Sequence, residues 1–135
     1  LETPLTARLL QGGNVLVAGA VDDRVRIAAL GAAGAEVFVQ PNAGGKVDLA
    51  ALMAELARRG INEVHAEAGC KLNGSLLREG LVDELLLYLA PCLIGDDAQG
   101  LFNLAALTSL ADRRHLAIRD LRQIGGDIRV LARLG

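Results

Sequence analysis

The sequence predicts an α/β fold, with a mostly parallel sheet flanked by helices and a C-terminal antiparallel hairpin. The first observation is the alternation of short apolar runs with helical patterns through the N-terminal half of the 135 residues, which is typical of consecutive strand–helix–strand units. The second is a change of pattern near the C-terminus, where two strand candidates follow each other around Gly125-Gly126. Because ligands of parallel sheets bind beyond the carboxyl ends of the strands, the loops that follow the strands are candidate binding sites.

Two strands and two helices are predicted in the first 60 residues. The strand candidates are residues 14–20 and 35–40. Asp22 is expected to cap a helix over residues 23–32, and Asp48 is expected to cap a second helix. Arg58-Arg59-Gly60 ends the second helix, with cations at the negative end of its dipole. The apolar residues of this helix recur on one face, at Leu49, Leu52, Met53 and Leu56.

A glycine-flanked turn follows these elements. Residues 64–66 are predicted to end a buried strand, and Gly69 is predicted to let the backbone turn sharply. A helix then extends to a stop at Gly80, with apolar residues at helical spacing at Leu72, Leu76 and Leu77. The first turn of such a helix presents free N–H groups and the positive end of its dipole, which suit a phosphate group best. The alternative is that the glycines serve only the strand-to-helix connection, as in any α/β protein.

The remaining sequence predicts a strand, a loop, a short helix and a hairpin. Residues 84–90 are almost all apolar, so this strand is expected to be buried on both faces in the interior of the sheet. Residues 95–100 are expected to form a surface loop and residues 101–110 a short irregular helix. Residues 115–124 and 127–134 are expected to pair as an antiparallel hairpin at the sheet edge.

Composition argues against several classes of protein. Apolar residues make up 52% of the chain and aromatic residues 2%, so there is no aromatic platform for stacking bases. The net charge of −2 gives nucleic-acid binding little support. No apolar run reaches membrane-spanning length and no signal-peptide pattern is present, so no membrane partner and a cytoplasmic location are expected. Cys70 and Cys92 fit reduced thiols of a cytosolic protein better than a disulfide framework.

One pair of motifs imitates a zinc nucleobase deaminase. His65-Ala66-Glu67 and Pro91-Cys92 match two parts of its signature, in which a His and two Cys hold Zn²⁺ and the Glu moves protons. Gly95 stands where the second Cys ligand is required, and Cys70 lies on the wrong side of the pair. Because three protein ligands cannot be assembled, no metal is expected. His65 is then expected to fill a strand position and Cys92 to be a structural small residue.

A continuous run of motifs carries the likeness to a known family. The Glu-Ala-Gly turn and its helix are followed by Gly-Leu-Val-Asp-Glu-Leu at 80–85, by the apolar strand, and by Ala-Pro-Cys-Leu-Ile-Gly at 90–95. This combination resembles the C-terminal reductase domain of the bifunctional riboflavin-biosynthesis deaminase/reductase, the RibD family. The resemblance implies a dihydrofolate reductase-like fold and a homodimer. It also implies NADPH-dependent reduction of the ribosyl group of 5-amino-6-(5-phosphoribosylamino)uracil to a ribityl chain.

The same resemblance implies where the ligands bind. Glu67 matches the acidic residue that contacts the pyrimidine nucleotide substrate, and a carboxylate at the inner end of an apolar strand would itself favour a polar ligand. A Glu at the solvent edge of the turn is the alternative. The segment that wraps the NADPH phosphates corresponds to Gly69, Cys70, Lys71, Leu72, Asn73, Gly74 and Ser75. Cys70 and Lys71 depart from the family pattern, in which Thr or Ser often follows a small residue, and Lys71 could replace that hydroxyl as a point charge.

The resemblance covers the C-terminal portion of the reductase domain, over residues 1–135. The chain begins without Met, and the deaminase domain and the first part of the reductase domain of the family would precede it. Several substrate contacts of the family lie in that part, so no residue here is assigned to catalysis, and the chain alone is expected to be inactive. The sequence leaves open whether NADPH or NADH is preferred. The competing hypothesis is a non-catalytic α/β module for association or scaffolding.

Overall fold

The structure is a computed structural model that describes residues 2–95 and 97–135. It contains two compact units, one ending at Val64 and the other beginning at His65. The predicted α/β class is confirmed, since the first unit contains a parallel strand pair with helices and the second contains a helix and an antiparallel sheet. No helix in the described part of the chain is long and apolar enough to cross a membrane.

The first unit is a strand–helix–strand–helix arrangement. Its elements are a short 3-10 helix (Arg8–Gly12), β1 (Val15–Gly19), α1 (Arg24–Ala32), β2 (Ala35–Val39) and α2 (Leu49–Arg58). β1 and β2 pair in parallel along their whole lengths. A small core of Leu10, Leu30 and Ala35 is buried against the valines of both strands, whose β-branched side chains pack well on a pleated surface. The order of strands and helices predicted for this half of the chain is therefore confirmed.

Both helices of the first unit begin at an aspartate. The Asp23 carboxylate accepts a hydrogen bond from the backbone N–H of Arg26 at 3.0 Å, and Asp48 caps α2 in the same way, at 2.9 Å. The cap of α2 is as predicted, whereas the cap of α1 lies one residue later than predicted. Asp22 pairs with Arg24 instead, at 3.0 Å between its Oδ2 and the Arg24 Nε. Each cap is worth about 1 kcal/mol because it satisfies an N–H left free at the helix start.

An ion-pair cluster joins the end of α2 to β2. The Arg59 guanidinium donates from Nε to Glu55 at 2.7 Å and from Nη1 to Glu36 at 2.6 Å. Arg58 also donates to Glu55, from Nη2 at 2.7 Å. The hydrogen bonds from Arg58 and Arg59 lower the pKa of Glu55 from its ordinary 4.5 to about 2, and the hydrogen bond from Arg59 lowers the pKa of Glu36. The arginines at the helix end therefore connect the helix to a strand as well as balancing its dipole.

We expect the destabilisation caused by Glu55→Gln to fade as the pH falls. A carboxyl group whose pKa is depressed in the folded state stabilises the protein above its unfolded pKa, and that contribution is lost as the pH falls through the folded value. For Glu55 this window runs from about 4.5 down to about 2. Urea unfolding midpoints of wild type and variant should differ near neutral pH and converge at about pH 2 and below.

The matched control for this experiment is Glu63→Gln. Glu63 is exposed and takes part in no ion pair in the described part of the chain. Its substitution should leave the midpoint nearly unchanged at every pH. A Glu55→Gln effect that is equally large in acid and at neutral pH would contradict a stabilising role for the ion pairs.

The second unit contains one helix and a three-stranded antiparallel sheet. Its elements are α3 (Cys70–Arg78), β3 (Glu84–Leu89), a short 3-10 helix (Leu110–Asp112), β4 (Leu116–Ile124) and β5 (Asp127–Leu134). The predicted C-terminal hairpin is confirmed, with β4 and β5 paired around Gly125, whose φ of 61° is a conformation that favours glycine. The strand order is β3-β5-β4. The hairpin is therefore not wholly at the edge, because β5 is the central strand.

The prediction that residues 84–90 form an interior strand is wrong for the sheet that the structure describes. β3 is an edge strand beside β5. Leu85 and Leu87 are half-buried, whereas Leu86, Tyr88 and Leu89 are exposed. An apolar run alone does not distinguish a central strand from an edge strand, because the neighbours of a strand come from distant parts of the chain.

One face of the antiparallel sheet is apolar apart from Gln123, and the other, which we call the charged face, carries ion pairs beside Leu86, Tyr88 and Leu131. The residues that share the apolar face are Leu85, Leu87, Leu89, Leu116, Ile118, Leu121, Ile128, Val130, Ala132 and Leu134. On the opposite face Asp120 accepts hydrogen bonds from Arg122 at 2.7 Å and Arg129 at 2.5 Å, and Arg133 donates to Glu84 at 2.9 Å. The bonds from Arg122 and then Arg129 lower the pKa of Asp120 to about 2. This alternation fixes the register, since a slip of one residue would exchange the two faces.

Two segments of the second half lack the structure predicted for them. Residues 61–69 form no strand, so the predicted strand at 64–66 is wrong, and His65 fills no strand position. Residues 101–109 contain no helix. Cys92 is exposed rather than packed as a structural small residue, and both cysteines are free. The predicted surface loop is confirmed for residues 95 and 97–100, while Asp96 lies outside the described residues.

Candidate functional site

The glycine-flanked turn predicted to bind phosphate becomes the start of α3. Gly69 precedes the helix with φ −76° and ψ 167°, an extended conformation that any residue adopts. Gly69 was predicted to let the backbone turn sharply, but its conformation makes no use of the freedom that glycine has. A Cβ on Gly69 would meet no atom of the described residues within 4 Å. The space beside the first turn of the helix is therefore open at this position.

The first turn of α3 presents hydrogen-bond donors that the chain does not use. No side chain caps this helix, and no acceptor among the described residues binds the backbone N–H groups of Cys70, Lys71 or Leu72. In α1 and α2 the same position is filled by an aspartate carboxylate. Free N–H groups at the positive end of a helix dipole favour an anion. Four predicted cofactor residues, from Gly69 to Leu72, therefore lie where an anion would be stabilised, and the exposed Lys71 adds a positive charge.

Glu67 lies in the irregular segment two residues before Gly69. Its side chain is 86% exposed, and its Oε1 is 3.4 Å from Nε2 of His65. The prediction that this carboxylate stands at the inner end of a buried strand is wrong, because residues 61–69 form no strand. Because Glu67 is exposed, its carboxylate needs no ligand to offset a cost of burial. Its candidacy now depends on its place beside the helix start and on the family resemblance.

Two of the predicted cofactor residues are engaged with the chain itself. Asn73 donates from Nδ2 to the carbonyl oxygens of Ala68 at 3.0 Å and of Leu101 at 3.4 Å. Gly74 is buried, and a Cβ there would lie 2.2 Å from the carbonyl oxygen of Asn103. The close backbone approach that glycine permits at position 74 is therefore an approach by Asn103. These contacts hold residues 99–103, which we call the docking segment, along α3.

Arg78 is a residue of this region that the sequence pattern did not indicate. Its Nη1 donates to the carbonyl oxygen of Asn103 at 2.5 Å, and its Nη2 donates to Oγ of Ser75 at 2.8 Å. The Ser75 hydroxyl, predicted to contact a phosphate, is thus bound within the helix. An arginine three residues after a serine on a helix is a local signal for the second contact. No local signal exists for the first, because Asn103 lies 25 residues away.

A cavity of about 380 Å³ in the first unit is a weaker candidate. Its lining residues are Asn14, Val15, Leu16, Gly34, Glu36, Leu56, Arg59 and Ile61. Its two charged side chains, Glu36 and Arg59, are paired with each other, and Arg59 is also paired with Glu55. A ligand there would have to break these pairs before binding. None of the residues predicted to bind substrate or cofactor lines this cavity.

Comparisons with known proteins agree on one family. The sequence matches the model of the RibD C-terminal domain over residues 1–130. It is 44% identical over 88 residues to the riboflavin biosynthesis protein RibD of Escherichia coli (strain K12), covering 65% of this chain and 24% of that protein. It is 31% identical over 94 residues to the 5-amino-6-(5-phosphoribosylamino)uracil reductase of Buchnera aphidicola subsp. Acyrthosiphon pisum (strain APS), covering 70% of this chain and 45% of that protein.

The fold agrees with the same family. The solved structure of Acinetobacter baumannii RibD, form 2, matches this chain with a TM-score of 0.82 at 29% identity, covering 99% of this chain and 35% of that one. The chain therefore spans between about a quarter and a half of the length of these proteins.

Proposed function

The chain belongs to the RibD C-terminal domain family, as its motifs predicted, and we propose that it supplies part of a reductase of riboflavin biosynthesis. The proposed reaction is the NADPH-dependent reduction of the ribosyl group of 5-amino-6-(5-phosphoribosylamino)uracil to a ribityl chain, in the complete protein. The observation that carries the proposal is the similarity to a relative named for this reaction, over 70% of the chain.

In this proposal the phosphates of NADPH bind at the start of α3. Among the described residues, no acceptor binds the N–H groups of Cys70, Lys71 and Leu72, and no atom lies within 4 Å of the Cβ position of Gly69. Backbone donors of this kind bind phosphate without the conformational entropy cost of ordering a side chain, and the helix dipole adds to the attraction. Lys71 supplies a positive charge in place of the hydroxyl common in the family. The residues present therefore fit the cofactor.

The other residues predicted to touch the cofactor are assigned a supporting role. The amide of Asn73, the backbone at Gly74 and the hydroxyl of Ser75 are occupied by contacts within the second unit. Their function in this proposal is to keep the first turn of α3 in shape. The direct cofactor contacts are thus limited to residues 69–72.

When bound, NADPH would supply the hydride that C1 of the ribosyl group gains as its bond to the ring oxygen breaks, and that oxygen would take up a proton. The protein must hold the two reacting carbons in contact and exclude water, which are positioning tasks. Glu67 is proposed to bind the substrate from the segment next to the cofactor phosphates, where its carboxylate is exposed and contacts only His65 among the described residues. No residue of this chain is assigned to the proton transfer.

The remaining parts of the proposal concern the complete protein. It would be a cytoplasmic homodimer in which a deaminase domain and the first part of the reductase domain precede this chain. Its small-molecule substrate would be a pyrimidine nucleotide. Because the active site would be divided between this chain and the preceding part, the 135-residue chain alone should be inactive.

In the complete protein, we expect Glu67→Gln and Lys71→Gln to weaken the binding of different ligands, the pyrimidine and NADPH respectively. Loss of one charged hydrogen bond costs about 1.5–3 kcal/mol, so Glu67→Gln should raise the KM for the pyrimidine about 10- to 100-fold with little change in NADPH affinity. Lys71→Gln should weaken NADPH instead and leave the pyrimidine KM nearly unchanged. Steady-state kinetics and fluorescence titration with NADPH measure the two effects.

The control is Glu79→Gln, which removes an exposed carboxylate at the opposite end of α3 and should change neither constant. Equal losses for both ligands in the Glu67 variant would contradict its assignment to the substrate. The scaffold hypothesis predicts a different result, because a non-catalytic module would bind no NADPH in the wild-type protein.

A further inference from the structure

Residues from both ends of α3 form hydrogen bonds with the docking segment. At the helix start, the Asn103 N–H donates to the carbonyl oxygen of Cys70 at 2.9 Å, and Nε2 of Gln99 lies 2.9 Å from Sγ of Cys70. At the helix end, Arg78 donates to the carbonyl oxygen of Asn103. The peptide groups of one residue, Asn103, therefore connect the first residue of α3 with the last.

Arg78 can make this connection because of the direction in which helical side chains extend. Cα–Cβ bonds tilt toward the helix N-terminus, so a long side chain in the last turn lies over the preceding turn. Its Nη2 is held there by the Ser75 hydroxyl, which leaves Nη1 pointing at Asn103. A planar guanidinium can serve both acceptors at once, which a lysine ammonium cannot do with the same geometry.

The contact at Gly74 makes the Arg78 bond more important. The Asn103 carbonyl oxygen lies so close to the helix backbone that a Cβ on Gly74 would be 2.2 Å from it. Among the described residues, Arg78 is its one hydrogen-bond donor. Asn103 and Arg78 are both exposed, so water can replace the lost donor and the expected cost is about 1.5 kcal/mol, or about tenfold, the low end for a hydrogen bond to a charged group. In the described part of the chain, the docking segment would then be held to α3 only by the hydrogen bonds of Cys70 and Asn73 and would be less firmly positioned.

We propose that Arg78 is a positioning residue of the cofactor site, which acts by holding the docking segment against α3 and thereby fixing the orientation of Cys70. This inference rests on the proposed function, since Cys70 and its neighbours carry the N–H groups assigned to the NADPH phosphates. The Asn103 N–H donates to the carbonyl oxygen of Cys70, which belongs to the same planar peptide group as the Lys71 N–H, one of the three N–H groups left free. Arg78 itself touches neither ligand.

The test compares Arg78→Ala, Arg78→Lys and wild type in the complete protein. Hydrogen exchange at the Asn103 amide reports the docking segment directly and needs no cofactor. In Arg78→Ala this exchange should accelerate at least about tenfold, and the KM for NADPH should rise about tenfold while kcat and the KM for the pyrimidine change little. Arg78→Lys should recover part of both effects, and added guanidinium at millimolar concentration should partly restore Arg78→Ala.

The matched control is Arg113→Ala. Arg113 is also exposed and donates from Nη1 to a backbone carbonyl, that of Leu110 at 2.7 Å, but this contact is local and holds no distant segment. The Arg113→Ala substitution should leave both the exchange rate of the Asn103 amide and the KM for NADPH unchanged. An unchanged Asn103 exchange rate in Arg78→Ala would overturn the fastening role, and faster exchange with an unchanged NADPH constant would overturn the link to the cofactor site.

The experiment also separates this inference from the proposed function. A wild-type protein that binds no NADPH would refute the proposed function and, with it, the cofactor role of Arg78. The exchange data would still decide whether Arg78 holds the docking segment. Equal losses in kcat and in the KM values of both ligands would indicate general unfolding and would count against a positioning role.

Discussion

Replacing Gly74 with alanine should destabilise the protein by about 3 kcal/mol. A glycine inside a helix normally costs about 0.5–1 kcal/mol relative to alanine, so helix propensity alone would predict a gain. The structure reverses the sign, because the new Cβ would lie 2.2 Å from the Asn103 oxygen and 2.8 Å from its carbonyl carbon. Both are backbone atoms, so neither can rotate away.

The docking segment would have to move to accommodate the methyl group, and its bonds to Cys70 and Arg78 would be lost with the movement. Urea unfolding of wild type and Gly74→Ala measures the cost. The matched control is Gly31→Ala in α1, where a Cβ would meet no atom within 4 Å. That variant should be stabilised by up to about 1 kcal/mol. The same sign for both substitutions would contradict the close contact described at Gly74.

The second large effect is expected in the association of the purified 135-residue chain. The apolar face of its antiparallel sheet is unevenly covered, with Ala132 only 1% exposed while Ile118 and Leu121 of β4 are 63% and 62% exposed. β4 is also an edge strand of the described sheet. An exposed edge strand next to an apolar patch favours pairing with another copy. Light scattering should therefore give a mass above that of the monomer.

Lysine substitutions on the two faces of β4 test this prediction. Ile118→Lys with Leu121→Lys should return the chain toward the monomer, since each lost aliphatic contact costs about 1.5–3 kcal/mol, or more than tenfold in the dissociation constant. Ala117→Lys is the control, because position 117 pairs with Arg133 on the charged face of the same strand. It should leave association unchanged. A monomeric wild-type chain, or an equal effect of all three lysines, would show that the apolar face is not responsible.

Features that depend on near neighbours could be predicted from the sequence. The cap at Asp48, the helix that ends near Arg58-Arg59-Gly60 and the hairpin around Gly125-Gly126 are all as predicted. Each is set by contacts between residues a few positions apart, such as an aspartate and an N–H three residues later. The family was predicted on the same kind of evidence, from motifs contiguous in the chain.

The features of the candidate site likewise divide into those set by near neighbours in the sequence and those set by the tertiary structure. The start of α3 at Gly69 is a local property, and its free N–H groups follow from the missing cap. The roles of Gly74 and Arg78 were decided by the tertiary structure. Their common partner, the docking segment, is separated from them by some 25 residues, and no sequence spacing indicates that Asn103 lies against Gly74.

The sequence by itself therefore determined the local elements, their order and the family, whereas the tertiary structure decided which elements meet. β3 was predicted to be interior because its residues are apolar, yet it lies at an edge beside β5, more than 35 residues further along the chain. Residues 64–66 looked like a strand but have no partner strand in the described sheets. A strand is stabilised by hydrogen bonds to a neighbour that its own sequence does not specify, whereas the hydrogen bonds of a helix lie within its own sequence.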